Sequence, residues 1–173
     1  GSINRNPTFL DWPDGEPLPS DWEGWNGINS VTLQKGAGEA AGNHVRMESA
    51  QGQDVGIRIN RNAPGMARIN KSHYILELDA QAVGGTSASF RGSGLALYCY
   101  DGSGNYLGNV RLDCAVDLPQ SGQSPSWNGT FIHQWRKIVQ TPTGTRNAHL
   151  YLFHNYEVLF GSTTGGKIIN YSR

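Results

Sequence analysis

The sequence predicts an all-β fold, a two-sheet antiparallel β-sandwich with jelly-roll topology. Short segments alternate apolar and polar residues with a period of two, which is typical of strands that bury one face. Turn residues separate these segments, and the chain contains 23 glycines with 5 tryptophans, 7 tyrosines and 5 phenylalanines. No segment shows the 3.6-residue apolar period of an amphipathic helix, and no internal repeat of fixed period occurs. The nine or ten strands that this pattern predicts are enough for two packed sheets.

The N-terminal stretch is predicted to open the sandwich. Residues 6–12 are expected to form an edge strand around Phe9, because the proline-rich loop 13–19 that follows cannot continue a helix or pair as a central strand. Three tryptophans follow closely, and we expect them to pack mainly against the end of the sandwich, with one of them a candidate for exposure: Trp12, Trp22 and Trp25.

Three shorter strands are predicted next. Residues 27–35 form a strand that ends at the glycine-containing turn 36–38. Residues 44–48 and 54–60 both alternate apolar and polar side chains, and we expect them to pair as a hairpin across the loop 50–53.

The longest predicted strand, 73–83, has one buried and one solvated face. Its buried face carries Tyr74, Leu76, Leu78 and Ala80. A second hairpin joins 95–101 to 106–118, because the intervening Asp-Gly-Ser-Gly-Asn is a strong hairpin signal. Its inward residues are predicted to be Leu95, Leu97, Cys99, Val110, Leu112, Cys114, Val116 and Leu118.

The two cysteines, Cys99 and Cys114, are too few for a disulfide framework or a metal cluster. Both side chains should point inward, and the tight turn between their strands would misalign them for bonding. We therefore predict buried free thiols, with a disulfide as the alternative.

The last third of the chain holds strands 131–140, 147–155 and 165–171. Trp135 is predicted to face the core, whereas Trp127 lies in the polar loop 120–129. In the strand 147–155, one face carries Ala148, Leu150, Leu152 and His154, and the other carries His149, Tyr151, Phe153 and Asn155.

Length and charge limit the function. The 173 residues suit one domain, which we place at 3–173, with Gly1 and Ser2 as an expected tag remnant of a fragment. The 14 basic residues are balanced by 14 acidic ones, which argues against nucleic-acid binding and polybasic membrane binding. No run approaches the roughly 18 apolar residues of a membrane span. A neutral or locally charged ligand is therefore favoured.

Exposed aromatic rings beside planar polar side chains are what a sugar-binding surface needs, because rings stack on C–H-rich sugar faces and polar groups bond the hydroxyls. The outward faces of two predicted strands and one loop supply both types. The candidate ligand-binding residues are Tyr98, Tyr100, Arg111, Asp113, Trp127, His149, Tyr151 and Asn155. The alternative is structural: the tyrosines cover the sheet beneath a loop, and Trp127 folds back onto the core.

The order of these segments resembles jelly-roll, galactose-binding-like carbohydrate-binding modules, as found in secreted glycoside hydrolases and in bacteriophage tail spikes and fibres. The resemblance is carried by an Asn-Pro-x-Phe opening with a later Trp, the long Tyr74 strand, the Asp-Gly-x-Gly hairpin and the C-terminal Gly-x-Ile. It implies non-catalytic carbohydrate binding by an accessory domain of a larger extracellular or virion protein.

The same resemblance implies a structural Ca²⁺ between the opening loop and the last strand. The corresponding side chains are Asp11, Glu48 and Asn170, and an asparagine at the last position removes one charge from the site. Zinc is not expected, because the 5 histidines show no paired ligand spacing.

Two other functions stay open. The domain is alternatively a structural or homotrimerisation domain of a phage tail spike or fibre, which would bury the predicted sugar-binding face. An enzyme, a polysaccharide lyase or glycosidase, is less favoured. Glu77 and Asp79 match the start of a Glu-x-Asp-x-x-Glu glycosidase strand, but Ala82 occupies the third position. No Gly-x-Ser-x-Gly nucleophile motif occurs.

Overall fold

The structure is a computed structural model that describes residues 4, 6–7, 9–25, 32–37, 43–49, 55–59, 67–85, 90–122, 132–156 and 166–172. Within these residues the chain forms eleven strands and no helix. In chain order the strands are β1 (Trp22–Trp25), β2 (Thr32–Ala37), β3 (Asn43–Ser49), β4 (Val55–Ile59), β5 (Ala67–Arg68), β6 (His73–Gly85), β7 (Gly94–Tyr100), β8 (Tyr106–Asp113), β9 (His133–Gln140), β10 (Asn147–His154) and β11 (Lys167–Ser172). A helix of the length and apolarity needed to cross a membrane is therefore absent from the described segments.

The strands form two antiparallel sheets, so the predicted β-sandwich is confirmed. The six-stranded sheet has the order β1-β4-β10-β7-β8, with β5 paired to the start of β10. The five-stranded sheet has the order β2-β3-β11-β6-β9. The chain passes repeatedly from one sheet to the other, as the jelly-roll topology requires. One predicted pairing is wrong: β3 and β4 belong to different sheets, so they do not form a hairpin.

Alternate residues of the strands fill the space between the sheets. On β6 the predicted buried face is confirmed, with Leu76, Leu78 and Ala80 all buried. Trp135 on β9 is buried against them, again as predicted. The thiols of Cys99 and Cys114 are both buried and free, and burial raises the pKa of each. The period-two pattern of the sequence thus places the core correctly.

The predicted opening strand is wrong, because the described residues before Trp22 adopt no strand. Phe9 has a φ of 53°, a left-handed conformation that is incompatible with an extended segment. Its backbone N–H donates to the carbonyl of Asn6 at 3.3 Å, which closes a turn. The Phe9 ring then packs on Trp22 with a centroid separation of 5.4 Å. The opening stretch is therefore a folded loop that covers the end of the core.

Strand β8 also ends earlier than predicted. The backbone N–H groups of Val116 and Asp117 both donate to the carbonyl of Asp113, at 3.1 and 2.8 Å, which turns the chain away from the sheet. Val116 and Leu118 were predicted to point inward, but their side chains are 74% and 58% exposed. The turn, rather than their hydrophobicity, decides their position.

A buried polar chain of six residues crosses between the sheets at the end of β10. Its members are Lys167, Asn155, Ser49, His154, Tyr171 and Ser93, all buried. Its hydrogen bonds run in order from Lys167 Nζ to Asn155 Oδ1, from Asn155 Nδ2 to Ser49 Oγ at 3.2 Å, from Ser49 Oγ to His154 Nε2 at 3.0 Å, from His154 Nδ1 to Tyr171 Oη at 2.7 Å, and from Tyr171 Oη to Ser93 Oγ at 2.8 Å.

The hydrogen bonds around His154 can all be formed by one tautomer. When the Tyr171 hydroxyl donates to Ser93, Tyr171 accepts from His154 Nδ1. The Nε2 atom is then the acceptor for the Ser49 hydroxyl. Burial, and then the positive charge of Lys167, lower the pKa of His154 to about 3. His154 is therefore a neutral imidazole at physiological pH.

Candidate functional site

The outer face of the six-stranded sheet carries a continuous layer of aromatic rings. Residues that alternate with the core positions on β1, β7, β8 and β10 point outward here, and Tyr156 joins them just after β10. We call this set the aromatic face: Trp25, Tyr98, Tyr100, Tyr106, His149, Tyr151, Phe153 and Tyr156.

The rings contact one another across the strands. Tyr151 on β10 lies at the centre, with ring centroids 5.1 Å from Trp25 on β1 and 4.8 Å from Tyr98 on β7. Tyr98 in turn lies 5.8 Å from Tyr106 on β8. The path from β1 to β8 crosses four strand spacings of about 4.8 Å, so the rings extend over roughly 19 Å. This is an extended surface perpendicular to the strands.

The aromatic face has a buried lower layer and a solvent-accessible upper layer. Tyr151 and Phe153 are stacked at 5.3 Å and only 3% and 0% exposed, so they support the other rings. Trp25 and Tyr98 are half-buried. Tyr106 is 52% exposed and is thus the ring most open to a ligand.

The phenols of the aromatic face are hydrogen-bonding groups, not charges. Burial, followed by the neighbouring phenols, raises the pKa of Tyr98 and of Tyr100. Both hydroxyls therefore remain neutral at physiological pH, and each can donate and accept.

Planar polar side chains flank the rings. At the β1 edge, Arg58 forms an ion pair with Glu23 and donates to the Tyr151 hydroxyl at 3.4 Å. At the β8 edge, the Asn109 amide donates to the Tyr106 hydroxyl at 2.9 Å. The strand register pairs Glu23 with Arg58 and Arg58 with Tyr151, which fixes the first group on the sheet.

Six of the eight predicted ligand-binding residues share this surface. The register places His149 opposite Tyr98, and it places Ala96 between Tyr151 and Arg111. Those on the face or at its β8 edge are Tyr98, Tyr100, Arg111, Asp113, His149 and Tyr151. Their contact with a ligand stays a prediction, and His149 and Tyr151 are nearly covered by their neighbours.

The other two predicted residues are not brought to this surface. Asn155 has a φ of 55°, which turns its side chain into the buried polar chain beside Ser49 and Lys167. It is fully buried, so its predicted exposure is wrong. Trp127 lies outside the described residues.

Several residues of the aromatic face were not predicted from the sequence. Trp22 and Trp25 are three positions apart on one strand, and such positions lie on opposite faces, so one of the two had to point outward. Tyr106 directly follows the hairpin turn and pairs with Tyr100, a spacing that could have revealed it. Arg58 and Glu23 gave no such signal, because β1 and β4 are distant in sequence.

Solved structures share this architecture at low sequence identity. The CBM22-1 xylan-binding domain from Paenibacillus barcinonensis Xyn10C aligns with a TM-score of 0.53 at 8% identity, over 95% of this chain and 90% of that one. A CBM4 structure aligns with a TM-score of 0.53 at 11% identity, over 99% and 96%. The fold is that of carbohydrate-binding modules. No family model and no curated protein matches the sequence.

A larger protein also contains a similar region. The enzymatically active domain of bacteriophage CBA120 tailspike protein 4 aligns with a TM-score of 0.47 at 11% identity, over 95% of this chain. This chain spans 21% of that one.

The three calcium ligands implied by the family resemblance are not all brought together. Asn43, at the start of β3, donates to the carbonyls of Phe9 and Leu10, so Asp11 lies near that end of the strand. Glu48 is five residues further along β3, roughly 16 Å away at the usual strand rise. In the described part of the chain, no three His, Cys, Asp or Glu side chains are placed to hold a metal ion.

Asn170, the third implied ligand, lies between Arg46 and Gln81 on the outer face of the five-stranded sheet. Its Oδ1 atom is buried and accepts no hydrogen bond. It is a diagonal neighbour of Glu48 on the paired strand, roughly 7–8 Å away, whereas Asp11 belongs to the opening loop. The structure therefore brings two of the three implied ligands near each other, and the calcium itself stays a prediction.

The carboxylates of the glycosidase-like strand face away from the aromatic rings. Glu77 and Asp79 lie on the outer face of the other sheet of this carbohydrate-binding-module fold. Glu77 forms an ion pair with Arg136 at 3.1 Å, and Asp79 accepts from Gln134 at 3.5 Å. Neither carboxylate shares a cleft with the aromatic face.

A cavity of about 700 Å³ lies elsewhere, at the end of the sandwich that Phe9 and Trp22 cover. Its walls combine core side chains, including Leu76, Leu97 and Leu150, with exposed ones such as Ile75 and Ile138, and it lacks the flat exposed rings of the aromatic face. The sheet surface, and not this cavity, is therefore the candidate functional site.

Proposed function

We propose that this domain binds carbohydrate chains without catalysis, through the aromatic face. The observation that carries the proposal is the row of rings from Trp25 to Tyr106, in which Trp25, Tyr98 and Tyr106 are half-buried or exposed and the buried Tyr151 joins them. Rings held in this way offer flat apolar surfaces for the C–H-rich faces of sugars. The Arg58–Glu23 pair and Asn109 supply planar polar groups for the hydroxyls.

Preorganisation supports this proposal. Tyr151 and Phe153 are immobilised by stacking and burial, so the upper rings rest on a fixed support. A rigid surface loses little side-chain entropy when a ligand binds. Because the rings extend over roughly 19 Å, the ligand is an oligo- or polysaccharide chain that crosses several strands, not a monosaccharide.

The structural neighbours point to the same class of ligand. One of them is a xylan-binding domain by name, and its fold matches along nearly the whole of both chains. A single open surface of this kind gives weak affinity, which a larger parent protein raises by presenting several sites at once. We therefore propose an accessory domain of an extracellular or virion protein.

The placement of carboxylates favours binding over hydrolysis. Glycosidases need two carboxyl groups roughly 5–10 Å apart across one sugar bond. On the aromatic face, Glu23 lies on β1 and Asp113 on β8, at opposite edges of the sheet and separated by roughly 19 Å. Glu23 is also paired with Arg58. This separation supports a binding role over a glycosidase role.

A glycan array followed by calorimetric titration tests the proposal. We expect wild type to bind at least one polysaccharide, and we expect Tyr106→Ala to weaken that binding while the protein stays folded. Ile138→Ala is the matched control, because Ile138 is 70% exposed on the opposite sheet. Absence of any glycan binding by wild type would contradict the proposal.

Light scattering tests the structural alternative. A stable homotrimer in which Tyr98 and Tyr106 are protected from chemical modification would assign the aromatic face to assembly. A monomer with both tyrosines accessible is the result expected for a sugar-binding surface.

A further inference from the structure

The opening loop, residues 9–20, is held to the sandwich through its backbone carbonyl groups. Lys35 on β2 extends its ammonium group to the carbonyl of Trp12, at 2.7 Å. The same Nζ lies 3.6 Å from a carboxylate oxygen of Asp14, which is fully exposed. Lys35 pairs opposite the buried Val45, so its side chain projects from the core-facing side of the sheet.

Asn43 of β3 continues this contact. Its Nδ2 atom donates to the carbonyl of Phe9 at 2.8 Å and approaches that of Leu10 at 3.5 Å. Asn43 pairs opposite Ala37, on the same side of the sheet as Lys35. Two neighbouring strands thus present N–H donors to three carbonyls of the loop, those of Phe9, Leu10 and Trp12.

Asn6 closes the loop from within. Its Nδ2 atom donates to the carbonyls of Asp11 and Ser20, both at 2.8 Å, and its Oδ1 accepts the N–H of Asp11 at 3.2 Å. Asn6 is only 4% exposed, so these bonds are shielded from water. Five loop carbonyls therefore have side-chain N–H partners: Phe9, Leu10, Asp11, Trp12 and Ser20.

These hydrogen bonds decide whether the loop carbonyls can bind the calcium that the family resemblance implies. Ca²⁺ takes six to eight oxygen ligands, at about 2.3–2.6 Å, from carboxylates and backbone carbonyls. The backbone oxygens that this loop would offer already accept hydrogen bonds, and one of them faces a positively charged ammonium group. The side chain of Asp11 is exposed, and Glu48 lies far along β3. The described residues of this loop and of β2 and β3 around it do not fit a calcium ion.

We propose that Lys35, Asn43 and Asn6 form an internal clasp that takes the place of a structural calcium. The ammonium group supplies the positive charge, and the two amides supply the remaining partners for the carbonyls. The clasp joins the loop to β2 and β3 without any exchangeable ion. The stability of the domain is consequently independent of calcium, whether or not the domain binds sugar.

Thermal melting of four proteins in excess EDTA and in millimolar CaCl₂ tests the clasp. Wild type should melt at the same temperature in both solutions. Lys35→Met should melt about 2–6 °C lower in both, because a charged hydrogen bond is lost and calcium does not replace it. Lys71→Met, which removes an exposed lysine outside the clasp, should melt like wild type.

The fourth protein, the double variant Lys35→Met and Asn43→Asp, converts the clasp toward a metal site. It removes the ammonium group and places a carboxylate beside the carbonyls of Phe9 and Leu10. We expect it to melt lower than Lys35→Met in EDTA and to recover in CaCl₂. No recovery would contradict the view that the loop carbonyls surround a cation position. A calcium-dependent rise in the melting temperature of wild type would overturn the proposal itself.

Discussion

The aromatic face and the buried polar chain are built on the same strand, β10, but they serve opposite purposes. The side chains of residues 149, 151 and 153 point outward, and their rings lie on one surface. His154, at the end of the same strand, projects inward and joins six residues into one hydrogen-bonded chain. The outward set keeps ring surface open, whereas the inward set has its hydrogen bonds completed within the protein. Function and stability should therefore be separable by mutation.

The largest effect is expected from His154→Leu. The substitution leaves the buried hydroxyl of Ser49 without its acceptor and interrupts the chain between the sheets. We expect a loss of about 2–4 kcal/mol in the free energy of unfolding. Urea denaturation measures it, and the affinity for the array-identified glycan should be unchanged in the folded fraction. A large loss of affinity at constant stability would refute the separation.

The second largest effect is expected for the dependence of the free energy of unfolding on pH. The folded pKa of His154, about 3, lies below its ordinary value near 6.5. The unfolded chain thus binds a proton at a higher pH than the folded one, so this contribution is full above about 6.5 and is lost as pH falls toward 3. The slope from this group is at most about 1.4 kcal/mol per pH unit.

Comparison of wild type with His154→Gln isolates that slope from the titration of carboxylates. Stability curves of the two proteins should converge as pH falls through this window. Parallel curves would mean that His154 is not the titrating group.

On the aromatic face, Tyr98→Ala should reduce affinity by roughly tenfold or more, because Tyr98 contacts both the buried and the exposed rings. Calorimetric titration measures the affinity. Tyr98→Phe keeps the ring and should retain most of the binding. Equal losses for both variants would assign the effect to the hydroxyl and not to stacking.

A smaller effect is expected for Arg58→Met, which removes the donor to Tyr151 while keeping an extended side chain. Affinity should fall about threefold to tenfold, since one charge-assisted group is lost at the edge of the site. The matched control is Arg136→Met, because Arg136 forms its ion pair with Glu77 on the other sheet. That exposed pair should contribute less than about 1 kcal/mol to stability and nothing to binding.

The local alternation of apolar and polar residues was sufficient to predict which side chains point outward on the β7–β8 hairpin and on β10. The alternation around Tyr98, Arg111 and Tyr151 placed all three on one side, and the register confirms that they share a sheet. Alternation was not sufficient at segment ends. Asn155 continues the pattern of β10 in sequence but leaves it in space, because its positive φ reverses the direction of its side chain.

By itself the sequence determined the fold class and, away from the strand ends, the inward and outward residues of the long strands, because a period of two is a property of neighbouring residues. It left a disulfide between the two cysteines open. Only the tertiary structure decided that β1 and β4 bring Glu23 and Arg58 to the aromatic face, and that Asn6 reaches the carbonyl of Ser20. Those contacts join residues that are distant along the chain. They depend on which strands pair and on how a loop closes, and neither is encoded in a local repeat.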